Sequence, residues 1–200
     1  MGQRSQIYVR YNGKLILARD YSWNYGERMI SRVRYGMEYM KYGLDQGYTW
    51  IFCSEKDLEK MARFFDVNFD MKDIVMSTDI FKEYEEYGDG YSVFDYVFAG
   101  QDNNDGQAFI DMKDNDKEKT IKYAFTDGSG IYSEVMDARQ YMEWNEGSDW
   151  EKPTEYRKKS AINTCNRNIK NIDKMASLMT VEELQEFVGT DDYFNKTIPF

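Results

Sequence analysis

The first patterned stretch of the chain alternates: Ile7, Val9 and Tyr11 interleave with Tyr8 and Arg10, and a second apolar run occupies residues 14–18 after Asn12-Gly13. A period of two predicts strands, and Asn-Gly tolerates the positive φ of a tight turn, so residues 6–18 are predicted as a β-hairpin. The period then lengthens. Met29, Val33, Met37 and Met40 recur at helical spacing and predict a helix over 27–42 with that stripe buried. About 100° round the same helix, Arg28, Arg32, Tyr35 and Tyr39 form a second stripe. Residues 48–53 predict a strand. Ser54, with Asp57 three residues on, predicts the cap of a helix that buries Leu58, Met61 and Phe65.

Thr78 is predicted to cap a short helix through Tyr87, stopped by Gly88 and the Asp89-Gly90 turn. Residues 91–98, 107–112 and 120–125 each predict a strand, and the polar loops between them suggest an antiparallel meander. A helix over 133–144 and a linker over 147–153 follow. The longest helix is predicted over 154–178, with Ile162, Cys165, Ile169 and Ile172 as its apolar stripe. Thr180 and Glu183 predict a capping box for a last short helix ended by Gly189. The expected fold class is α+β: an N-terminal hairpin and an antiparallel meander packed with several helices, and a long C-terminal helix. Residues 1–150 would form the α+β core, and residues 151–200 a C-terminal helical layer of the same domain.

Composition narrows the chemistry. Two hundred residues suffice for one sizeable core, and 17 Tyr, 12 Phe and 4 Trp argue against disorder. The opening residues lack the apolar centre of a signal peptide, and no run approaches the roughly 18 apolar residues of a membrane span, so a cytoplasmic protein without a membrane partner is expected. Gln6 stands where an N-myristoylation signal needs Ser or Thr. Cys53 and Cys165 form no metal-ligand spacing and are expected to pack as small buried hydrophobes. The chain contains no histidine, which excludes Ser-His-Asp and Cys-His machinery and histidine metal triads. Any catalysis must use carboxylates, Lys, Arg, Tyr or Ser.

Charge is distributed unevenly. The formal net charge is -10, yet residues 1–45 carry 8 Lys/Arg against 4 Asp/Glu and residues 152–175 carry 7 against 2, whereas residues 46–151 carry 10 against 25. If folding gathers the central carboxylates on one face, that face repels nucleic acid and attracts a basic groove. The competing expectation is that they are solvated all round and serve solubility. The Arg28, Arg32, Tyr35, Tyr39 stripe, and Arg167, Lys170 and Lys174 on the long helix, have the chemistry to contact RNA phosphates and bases or a partner; equally, they are the ordinary polar faces of helices.

Three motifs bear on chemistry. Gly106 aligned to the sixth position of a calcium loop puts Gln101 and Met112 where acidic ligands are required, so residues 103–106 are expected to be a plain turn. Residues 128–130, Gly-Ser-Gly, lack the Lys of a phosphate loop and read as a turn before a helix. Asp111 and Lys113 would share one strand face, and with Asp95 on a neighbouring strand they match the Asp…Asp-x-Lys arrangement of nucleases, in which carboxylates hold Mg²⁺ and lysine helps activate water. The pattern is weak among 36 acidic residues.

The opening stretch, from Met1-Gly-Gln-Arg-Ser-Gln through Trp23-Asn-Tyr-Gly-Glu-Arg-Met-Ile-Ser-Arg32, resembles a group of small uncharacterised proteins of Gram-positive phages, plasmids and integrative elements. Some proteins of that kind are anti-CRISPR proteins acting on the single-effector nuclease. The resemblance covers about the first 45 residues and carries no diagnostic motif, so no functional residues are transferred. It implies an inhibitor of host defence whose partner is a basic nucleic-acid-binding protein such as a CRISPR effector, approached by an acidic face acting as a DNA mimic. A second route takes the guide RNA as partner, and the alternative function is a metal-dependent nuclease acting on RNA or DNA.

Overall fold

The computed structural model describes residues 3–47, 54–74, 76–102, 104–128 and 134–195. The chain folds as α+β around a mixed six-stranded sheet. The hairpin forms as expected: β1 (Arg4–Tyr11) and β2 (Lys14–Ser22) pair antiparallel across Asn12 and Gly13, both at positive φ, as a tight hairpin turn requires. The register shifts between Val9 and Arg10, where Ile16 is the extra residue of β2, so Leu15 and Leu17 enter opposite cores.

The chain then runs through α1 (Glu27–Gln46), α2 (Glu55–Asp66), a two-residue hairpin of β3 (Val67–Asn68) and β4 (Asp73–Ile74), β5 (Ser77–Asp79) and α3 (Ile80–Tyr87). Next come a π-helical turn (Phe94–Ala99), β6 (Gln107–Asp114), β7 (Lys119–Thr126), α4 (Ala138–Glu146), α5 (Lys159–Met175), β8 (Ser177–Leu178) and α6 (Val181–Val188). The strand order is β5-β2-β1-β6-β7-β8, and β1 runs parallel to β6 at its centre.

Both faces of the sheet are covered. On one, Ile7, Val9, Ile110, Met112 and Phe125 meet the buried faces of α1, α2, α4 and α5; on the other, Tyr8, Phe109 and Ala124 meet α3, the π-turn and α6 through Val97, Phe98 and Phe187. Each large side chain buried this completely contributes about 1.5–3 kcal/mol before entropy is charged against it. The predicted helical stripes Met29, Val33, Met37, Met40 and Ile162, Cys165, Ile169, Ile172 are buried. Ser54 caps α2 by accepting from the Asp57 N–H, and Thr180 with Glu183 forms the capping box of α6.

Several local expectations change. Residues 91–98 are not a strand. Ser92 accepts from the Asp95 N–H as a helix cap does, and Val93, Val97 and Phe98 are the buried positions, a helical recurrence. Among the described residues, β6 and β7 are therefore the antiparallel strand pair that follows α3. Thr78 lies in β5, and Asp79 occupies the cap position of α3. The fourth helix starts at Ala138 behind a capping box of Asp137 and Gln140. The C-terminal helix begins at Lys159, because Thr154 and Arg157 bond each other in a separate turn and the Arg157 guanidinium is drawn to Glu146 and the Trp150 carbonyl. At 17 residues it is shorter than the 20 of α1. The predicted strand over 48–53, with Cys53, and most of the turn at 128–130 lie outside the described residues.

Candidate interaction surface

The nominated basic and aromatic residues do not form one surface. Arg32 has no solvent exposure; it donates to Asn24 Oδ1 at 3.1 Å and lies over the Tyr21 ring at 5.8 Å. It is a core residue, which withdraws it from any phosphate or partner contact. Arg28 is half-buried and donates to the Trp23 carbonyl, and Tyr39 stacks on Phe64 at 4.3 Å. Tyr35 and Arg167 do converge: the Tyr35 hydroxyl lies 3.3 Å and Arg167 3.5 Å from Asp70 Oδ1, in the β3–β4 turn. Lys170 and Lys174 are exposed on α5, and Lys174 shares a shallow groove with Lys41 and Lys119.

The nuclease constellation is not assembled. Asp95 sits exposed on the π-turn, held by Ser92, instead of on a strand beside Asp111. Asp111 is locked in a buried two-pronged pair with Arg10, at 2.9 Å from Nε and 2.8 Å from Nη2. Lys113 faces Glu118 at 3.6 Å in the β6–β7 hairpin. Both Asp111 oxygens are bonded to the buried Arg10 guanidinium, while Asp95 and Lys113 face other partners. Among the described residues no group of three acidic or cysteine side chains is placed to hold a metal.

The central carboxylates are not alike. Asp57, Asp70, Asp79, Asp111, Asp114, Glu118, Glu146, Asp149 and Glu151 each face a Lys or Arg within 4.0 Å. They are internally neutralised. The segment from Asp79 to Asp102 is different: it carries seven acidic residues and only Lys82 as a cation. Ile80 and Phe81 bury the inner side of α3, which turns Glu83, Glu85 and Glu86 outward beside Asp89 and Asp95. Among the described residues none of these five carboxylates has a cationic partner within salt-bridge distance.

Tyrosines stand among them. Tyr84 bonds the Tyr91 carbonyl at 3.0 Å, and its ring lies 5.5 Å from Tyr96 and 5.6 Å from Tyr193. Tyr87 and Tyr91 are 64% and 59% exposed, so the cluster presents aromatic area to solvent. Gly88 permits this packing, since a Cβ there would stand 2.1 Å from the Tyr84 ring. The carboxylates act on these rings. Partial burial together with the charges of Glu83 and Glu86 pushes the Tyr96 phenol up, and a hydrogen bond and charge from Glu86, with a contribution from Glu83, do the same to Tyr87. The field of α3 thus extends across the π-turn. On its other side α3 borders a groove with α2, where Glu55 and Glu59 add further negative charge.

Sequence reading missed Tyr84, Tyr87, Tyr91 and Tyr96, although the seven-to-one charge imbalance of residues 79–102 was a usable signal. Treating the central acidity as one block of 106 residues averaged it away. Comparison of the chain with family models, curated proteins and solved structures gives no match.

Proposed function

We propose that this protein is a mobile-element-encoded inhibitor of a host defence system, and that it works by docking the anionic face of α3 and the π-turn into the cationic nucleic-acid channel of a nuclease of the CRISPR-effector class. One observation carries the reading: five carboxylates with no cationic partner among the described residues surround a cluster of partly exposed tyrosines, while nine other central carboxylates are neutralised by their neighbours. Unpaired charge steers encounter with a basic groove, and rigid aromatic side chains supply the buried contacts that slow release. The defence context is itself part of the proposal and rests on the resemblance read from the first 45 residues.

No observation favours a metal-dependent nuclease, because Asp95, Asp111 and Lys113 are each engaged separately. The test is a DNA-cleavage assay with a guide-loaded single-effector CRISPR nuclease. The protein added before target DNA is expected to block cutting, and added after target DNA to do so far less. A variant with Glu83→Gln, Glu86→Gln and Asp89→Asn is expected to lose the block while keeping its thermal midpoint. Equal inhibition by the variant would exclude this face.

A further inference from the structure

We draw no further inference here: the strongest candidate, the shallow groove between the ends of α1 and α5 at the β7–β8 edge of the sheet, lined by Lys41, Lys119 and Lys174, carries no anion site because Asp45 and Asp114 already neutralise two of its three lysines.

Discussion

Removing the carboxylate of Asp111 strands a buried guanidinium. The Arg10 and Asp111 side chains are 5% and 7% exposed, and the pair is bonded through both prongs. Burial works against the Arg10 charge, but the carboxylates of Asp111 and Glu186 outweigh it and hold the guanidinium protonated. Breaking a buried pair from one side costs about 3–5 kcal/mol. Here the lower end applies, because Arg10 keeps Thr190 Oγ1 at 3.0 Å, the exposed Glu186 and the Phe187 ring at 5.0 Å. Asp111→Ala is therefore expected to lose about 3 kcal/mol. In urea, with a slope of about 2 kcal/mol/M, the midpoint should fall by about 1.5 M. The double variant Arg10→Met with Asp111→Leu should recover most of the loss, since no charge is then left buried. A loss below about 1 kcal/mol for Asp111→Ala, or a double variant no better than the single, would refute a structural role for this pair.

Three further outcomes follow from the packing. A Cβ at Gly36 would stand 2.1 Å from the Phe65 ring, so Gly36→Ala should cost about 1–3 kcal/mol by thermal denaturation although alanine favours the helix by about 1 kcal/mol; a raised midpoint would contradict the close approach of α1 and α2. In a Cys53→Ser background, Cys165 should react with a thiol reagent at pH 8 only after denaturation, and stoichiometric labelling of the native protein would place the thiol elsewhere. Burial raises the Asp105 carboxyl, so the folded state holds a proton that the unfolded chain has released: stability contributed by that proton is complete below the unfolded pKa and is lost as pH rises through the folded one. Asp105→Asn should accordingly match the wild type at low pH and gain on it towards neutrality, and an advantage that shrinks with pH would reverse this assignment.

What the sequence disclosed depended on whether a residue's neighbours were local. Asn12-Gly13, Ser54 with Asp57, and Thr180 with Glu183 act within one turn, and each forms as its spacing requires. The helical stripes were legible because burial follows the helical period. Arg10 and Arg32 were not. Alternation assigns Arg10 to the solvent side, yet the sheet is covered on both faces; the helical period sets Arg32 of α1 outside the apolar stripe, yet it is buried as well, and each guanidinium found partners far away in sequence: Asp111 in one case, the Asp66 carbonyl in the other. Residues 91–98 are a nearly continuous apolar run, which fits a short strand, but Val93, Val97 and Phe98 also fall on one helical side. Ser92 capping Asp95 decides between them. The convergence of Tyr35 and Arg167 on Asp70 had no local signature, since α1, α5 and the β3–β4 turn meet only in three dimensions.

The measurement that bears most directly on the central claim is the salt dependence of binding to a guide-loaded effector nuclease, compared between the wild-type chain and the variant Glu83→Gln, Glu85→Gln, Glu86→Gln, Asp89→Asn. A docking face built from unpaired charge predicts that wild-type affinity falls steeply with ionic strength and that the variant binds more weakly with a shallower slope. Parallel slopes and equal affinities would show that the carboxylates of α3 lie outside the interface.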